Sequence, residues 1–464
     1  MIITNSKQLS KNSLRKKALL IAEAGYEAID IKKAVNLRVK IENNILKISA
    51  QKNSASTSGS TQIDLNNYKR VFIIGVGKGS ALSSLALAKI LNRQLTKGIA
   101  IDIQLPRGFM RIRKRIYADK KLEIFKGTHP LPSIQNVKAT KEIIKLANGL
   151  NEKDLLITFI CGGGSALLCG SEKELKASRM IFKELTKRGA NIIELNIVRK
   201  HLSEVKGGGL AKIAYPATVV SLIVSDVLGN DISMVASGPT IYDKTTKKDA
   251  KKIIRKYNLN LTSSDDVKLI ETVKDKKYFK KVENILFVSN KDAVLAMAEK
   301  AKKLGLKPRI YSLKFKGEAK NALLPLVEAV KNGEAILAGG ETIVKLNQKS
   351  KIKNQNDNLK FKNLGKGGRN QESVLGLISN PSSLISKEIV AISFASDGQD
   401  NTEAAGAIGD YLTLETAQKL NLNPQEFLEN HDSFHFFQKT GDLLFAKPES
   451  FNISDLMIVL KEKI

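Results

Sequence analysis

Four glycine-bracketed polar clusters constrain what this chain can fold into: GVGKGS at 75–80, CGGGSALL at 161–168, SDVLGNDISMVASGPT at 225–240 and GKGGRNQES at 365–373. Each follows or adjoins an apolar run. An apolar run that ends in glycines and resumes with helical spacing marks a buried strand turning into a helix. YKRVFIIGVG (68–77) reads as such a strand, ALSSLALAKILNRQL (81–95) as its helix and KGIAIDIQL (97–105) as the next strand. The alternation continues through a helix at 134–150, the strand and turn DLLITFICGGG (154–164), a helix at 172–189, a basic helix interrupted by glycines at 194–214, and the strand ATVVSLIVSDV (217–227). This pattern predicts an α/β protein with a Rossmann-like, mostly parallel sheet flanked by helices. Ligands in such sheets bind outside the carboxyl ends of the strands.

A second α/β run follows a lysine-rich segment at 244–281. Its strands are NILFVSN (284–290), PRIYSL (308–313) and EAILAGGETIVKL (334–346), with helices at 291–305 and 319–333. At 464 residues the chain exceeds the size at which a single core stops growing. Two α/β domains are therefore expected, residues 1–260 and 261–464, with an active-site cleft between them. The polar stretch 51–62 reads as a loop, and 347–368 as a long hairpin tip or loop.

The formal net charge is +30, from 76 Lys+Arg against 46 Asp+Glu. Such a balance suits nucleic acid, an anionic membrane or a small acidic substrate. The lysines are spread over helix faces such as KKDAKKIIRKY (247–257) and lack interleaved aromatic residues for base stacking, so no nucleic-acid partner is expected. The densest basic run, RIRKRIYADKK (111–121), keeps a minor nucleic-acid reading open. No 18-residue apolar stretch and no leader-like start is present, which argues for no membrane partner and a cytoplasmic location. Cys161 and Cys169 read as buried thiols in a reducing compartment. His129, His201, His431 and His435 show no metal-ligand spacing. The sequence leaves a homodimer open.

The clusters carry the chemistry of phosphoryl transfer. Backbone N–H groups in glycine turns at helix N-termini collect oxyanions. Gly77, Gly162, Gly163 and Gly164 would shape such turns, Lys78 and Arg369 would supply charge, and Asp226 with Asp231 would hold a metal between phosphates. Ser225 ends the strand that carries Asp226. Ser165 reads as an anion ligand, because GGGSA lacks the GxSxG elbow of a serine nucleophile. Arg369, Asn370, Gln371 and Glu372 form a dense polar set at a helix start, where a planar guanidinium suits carboxylate or phosphate. Asp397 and Asp400 end another strand, and Asp397 joins the metal set. GVGKGS also resembles a dinucleotide fingerprint, with Asp102 where a ribose-binding acid would sit, although Ser80 stands in place of the third glycine.

Taken in order, GVGKGS, THPLPS, CGGGSALL, LNIVRKHLSEVKGGGLA, SLIVSDVLGNDISMVASGPT, GGRNQES and SDGQDN resemble the MOFRL-type (class II) glycerate 2-kinases from about residue 10 to the C-terminus. The resemblance implies ATP-dependent phosphoryl transfer to the 2-hydroxyl of D-glycerate with Mg2+, giving 2-phosphoglycerate and ADP. Its partners would be a small hydroxy acid and a nucleotide. The family's essential lysine and arginine fall on Lys78 and Arg369, and its SDV aspartate on Asp226. Asn196, Arg199, Lys200 and Lys206 would line the cleft. Three departures stand out: Asn230 in the family's GDD, Asn401 in its DGxDG, and AKPESFNISD (446–455), which keeps Pro448, Asn452 and Asp455 of the usual TGPTGTNVxD loop. Two other readings accompany the kinase: an NAD(P)H-dependent hydroxypyruvate reductase, and a catalytically idle metabolite-binding homologue.

Overall fold

A computed structural model describes residues 1–462 apart from 51–59, 107–110, 113–114, 119–120, 260–267, 347–350, 354–358, 362–364, 381–385 and 449–451. The chain divides into two compact units, Ile31–Ser289 and a discontinuous one made of Met1–Asp30 and Asn290–Ile464. Residues 113–114 and 119–120 of the basic run at 111–121 lie outside the described residues, as do most of the loop at 51–62 and residues 449–451 of the altered C-terminal loop. Among the described residues no helix is long and apolar enough to cross a membrane.

In the unit Ile31–Ser289, six strands run parallel: β1 (Arg70–Val76), β2 (Leu95–Asp102), β3 (Leu122–Lys126), β4 (Asp154–Cys161), β5 (Thr218–Val224) and β6 (Val282–Val288). Their order across the sheet is 3-2-1-4-5-6, the arrangement of dinucleotide-binding sheets, and two short antiparallel strands extend the sheet beyond β3. Every residue of β4 is buried, as parallel strands covered on both faces require. The helix Ser80–Leu91 packs Ala81 and Leu85 with Ala100, Leu122 and Ile124. The helix Ile134–Asn148 brings Ile143 and Leu146 into a core with Phe72, Ile74, Leu156 and Ile223. A small antiparallel sheet of Val39–Glu42, Ile45–Ser49 and Ser60–Asp64 precedes β1.

One expectation about organisation is corrected here. The apolar run at 284–290, read as the opening of a second domain, is β6: it pairs in parallel with β5 from Val219↔Val282 onward. The first unit therefore ends at Ser289 and not near residue 260. A buried strand looks the same in sequence whether it opens a new sheet or completes an old one.

The other unit has a six-stranded mixed sheet: β7 (Lys307–Glu318), β8 (Glu334–Ile343), β9 (Ile389–Ala395), β10 (Gly406–Asp410), β11 (Leu443–Leu444) and β12 (Asp455–Lys461), in the order 7-8-12-9-10-11. Only β7 and β8 are parallel. The N-terminal helix Ser13–Ile29 belongs to this unit. Its Gly25 lies so close to the helix Asn290–Lys303 that a Cβ there would stand 2.7 Å from the Met297 sulfur. Tyr26 donates to the Ala395 carbonyl at 2.9 Å. Fully buried Arg15 holds Asp410 through two nitrogens and Asp442 at 2.7 Å. The expected helix over 319–333 is shorter, a turn at Ala319–Asn321 followed by Leu324–Ala329.

Candidate active site

In the Rossmann-like unit the glycine clusters meet where the strand order reverses, between β1 and β4. Gly77 leaves β1 at φ +111°, and a Cβ there would lie 2.4 Å from the Cys161 carbonyl, so neither the backbone angle nor the space admits another residue. The Lys78 amide donates to the Gly162 carbonyl at 2.9 Å, which joins the two turns. Gly79, at φ +84°, opens the helix Ser80–Leu91.

The CGGG turn is the floor of the site. A Cβ on Gly162 would stand 2.0 Å from Oδ2 of Asp226, so the carboxylate from the end of β5 lies directly over that glycine. A Cβ on Gly163 would come within 3.2 Å of both the His129 ring and the Lys78 side chain. Lys78, Asp226, His129 and the glycine turn therefore form one cluster. The Lys78 side chain has no acidic partner among the described residues. Arg199 packs its guanidinium over the Phe182 ring, 5.0 Å from the centroid, and burial holds it below the usual arginine value. Partial burial, reinforced by Lys78 and Arg199, lowers the His129 imidazole to about 4. At neutral pH the ring is uncharged between two cations.

Several other expected residues support this floor. Ser165 shares a 2.8 Å hydrogen bond with Ser237, which donates to Asn196 at 2.6 Å, and Asn196 donates to the Met234 carbonyl at 3.1 Å. Ala236 and Ser237 adopt left-handed backbone angles beside this chain, conformations that persist only where surrounding contacts enforce them. Ser225 is buried and bonds within its own loop. Exposed Asp231 accepts from the amide and hydroxyl of Ser233, a turn-forming role.

Lys200 and Lys206 have buried counter-charges in place of a ligand. Lys200 pairs with Asp243 at 3.1 Å, and Lys206 with Glu174 at 2.5 Å and the Leu168 carbonyl at 2.7 Å. Asp102 does not present itself to a ribose. It is 2% exposed, its carboxylate accepts from the amides of Ala81, Ile103 and Gln104, and burial lifts it to about 6.

In the other unit the GKGGRNQE turn starts the helix Arg369–Ile378. A Cβ on Gly368 would stand 1.9 Å from the Asp400 carbonyl oxygen, so this glycine lets the helix start lie against Asp400. Arg369 donates to Asp455 at 2.9 Å and to Glu341 at 3.1 Å. Asn370 bridges Asp400 at 3.1 Å and Asp455 at 2.9 Å, and its carbonyl accepts from Ser393. Gln371 donates its amide to Asp400 at 2.8 Å. Glu372 pairs with His431 at 3.0 Å. Burial raises Asp400 to about 6, with Asp455 adding to the effect, and burial also raises Asp455 against the pull of Arg369. A cavity of about 640 Å3 opens here, lined by Thr342, Gly367, Arg369, Asp400, Asn401 and His431. Asp397 accepts from the Gln399 amide at 3.2 Å, while Asp400 is the acid that folds onto the helix start.

Asp455 and Glu341, the carboxylates that hold Arg369, escape a reading by motif. Asp455 had one signal, its retention in the altered AKPESFNISD segment. Among the described residues no group of three or more His, Cys, Asp or Glu side chains is arranged to hold a metal ion.

A 3-2-1-4-5-6 sheet with glycine turns, a lysine and an aspartate at its strand reversal defines a Rossmann-like α/β protein with a strand-end site for an anionic ligand. A family model described as a domain of unknown function, DUF4147, matches residues 17–271, and one described as the MOFRL family matches residues 334–455. The chain is 32% identical to a D-glycerate 2-kinase of Thermotoga maritima, over 85% of this chain and 91% of that protein. It is 32% identical to a glycerate 2-kinase of Pyrococcus horikoshii, over 84% and 87%. The crystal structure of a glycerate kinase from Thermotoga maritima superposes with a TM-score of 0.79 at 30% identity, covering 97% of this chain and 99% of that one. The chain belongs to the MOFRL-type glycerate kinase family.

Proposed function

We propose that this protein transfers the γ-phosphoryl group of ATP to the 2-hydroxyl of D-glycerate, giving 2-phosphoglycerate and ADP. One observation carries the reading: Lys78, without an acidic partner among the described residues, stands with Asp226 around the glycine turn at the strand reversal. Phosphoryl transfer demands little covalent chemistry of a protein, and the rate comes from holding donor and acceptor in line while cations offset charge on the phosphoryl oxygens. Lys78 and the amides of the glycine turn suit that task. Arg369, in the other unit, is kept in a fixed orientation by Asp455 and Glu341.

Mg2+ fits this chemistry through Asp226. The ion commonly binds through one or two carboxylates plus substrate phosphates and keeps several waters, so a cage of three protein acids is not required. When bound, it would neutralise charge on the phosphates. The strand order also suits a dinucleotide, but a reductase would need an acid able to reach a ribose at the end of β2, and Asp102 is engaged by backbone amides.

The test is ADP release by purified protein with Mg-ATP and D-glycerate, run beside NADH oxidation with hydroxypyruvate. Glycerate-dependent ADP release is expected. Lys78→Ala should lower kcat by about 10²-fold or more, the scale of losing a charged transition-state contact. Folded wild-type protein that oxidises NADH and releases no ADP would overturn the kinase reading.

A further inference from the structure

The segment Thr128–Ser133 is anchored with more care than a connecting loop needs. Fully buried Asn136 accepts from the Thr128 amide at 2.9 Å and the Ser133 hydroxyl at 2.8 Å, and donates to the Thr128 carbonyl at 3.0 Å. The same side-chain amide donates to the Ala166 carbonyl at 2.9 Å, two residues beyond the glycine turn. Arg179 holds the far end of the segment through the Pro132 carbonyl at 2.8 Å. One buried residue thus sets His129 relative to Gly163, against which its ring rests.

Arg199, near the end of the helix Ile192–Lys200, stacks on Phe182, which lies one turn from the Pro132-holding Arg179 on the helix Glu172–Lys187, and its charge acts on His129. Its neighbour Lys200 is neutralised by Asp243, whereas Arg199 has an aromatic face and no carboxylate partner among the described residues. A half-buried guanidinium stacked on a ring is oriented yet uncompensated, the state that an incoming oxyanion relieves. The charged groups around His129 are Lys78 and Arg199, with Arg179 at the loop's far end and Asp226 across Gly162.

Resting on the kinase reading above, we propose that Arg199 and His129 form the subsite for the carboxylate of the acceptor acid, and so select a hydroxy acid over an uncharged polyol. A planar guanidinium grips a carboxylate through two parallel N–H bonds. A neutral imidazole adds one N–H donor without demanding a second counter-charge. The glycine turn and Lys78 are left to the phosphates of the donor. Fixing the carboxylate fixes the rotation of the acceptor about its C1–C2 bond, and with it the direction of the 2-hydroxyl.

The experiment compares wild type, Arg199→Met, Arg199→Lys and His129→Gln. In steady-state kinetics Arg199→Met should raise KM for D-glycerate by roughly 10- to 100-fold, with KM for ATP unchanged, and should erase the preference for D-glycerate over glycerol. Arg199→Lys should recover only part of the loss, because an ammonium cannot bind bidentately. His129→Gln, a change at a side chain that keeps part of its surface in solvent, should raise the same KM by roughly 3- to 10-fold without altering thermal unfolding at neutral pH. It serves as the test if Arg199→Met does not fold. Calorimetric titration with D-glycerate gives a readout independent of turnover. Binding by wild type and its loss in Arg199→Met would support the subsite even if ADP release failed. A rise in KM for ATP alone, or unchanged glycerate affinity in both Arg199→Met and His129→Gln, would overturn it.

Discussion

Asp400 is a carboxylate that the fold prefers to keep protonated. Burial lifts it from 3.8 to about 6, so between those values the folded protein holds a proton that the unfolded chain has released. Its stabilising contribution is complete below pH 3.8 and disappears as the pH rises through 6. The wild type should therefore lose roughly 3 kcal/mol between pH 4 and pH 7 that Asp400→Asn does not lose, as read from urea unfolding. Parallel curves for the two proteins would exclude this. His129 acts with the opposite sign: its value of about 4 lies below the usual 6.5, so its share of stability is lost as the pH falls from 6.5 through 4. Sequence spacing places both acids of SDGQDN at a strand end, but only the folded backbone brings Asp400 to Asn370 and leaves Asp397 in the turn. Lys200 and Lys206 were illegible for a related reason. A lysine in a motif gives no sign of where its counter-charge comes from, and Asp243 and Glu174 lie tens of residues away.

At the scale of elements, the strand-to-helix turns were legible because each needs glycine for a specific reason. Gly77 must accommodate φ +111° beside Cys161, and Gly162 must admit the Asp226 carboxylate. Gly162→Ala should push that carboxylate aside and lower kcat by roughly 10²-fold, with a stability loss of about 1–3 kcal/mol. Kinetics and denaturation of the same preparation check both. Wild-type kcat in that variant would show that Asp226 works from elsewhere. The helix and strand alternation was readable from the change of period at each glycine. The allegiance of β6 was not, because strand partnership depends on register with β5 and leaves no local trace.

On the scale of the whole molecule, the N-terminal helix joins the unit formed by residues after 289. Sequence patterning marks it as amphipathic without saying which core it serves. Arg15 makes the attachment specific, since it pairs with both Asp410 and Asp442 in a fully buried setting, with Lys11 as a second cation for Asp442. Arg15→Met should destabilise that unit by about 3–5 kcal/mol by leaving buried Asp410 without its cation and Asp442 with Lys11 alone. Hydrogen exchange should then accelerate across β9, β10 and β12 while β1, β4 and β5 keep their protection. Uniform acceleration through all six strands would refute this assignment.

The discontinuous unit also orders events during synthesis. Ser13–Ile29 leaves the ribosome roughly 260 residues ahead of the helix against which Gly25 packs. At about 5–20 residues per second the wait is on the order of 15–50 s. Throughout that interval Leu14, Ala18, Leu19 and Ile21 have no native surface to cover them. The nascent helix is thus a natural client for a chaperone that shelters apolar segments until their partners have been translated.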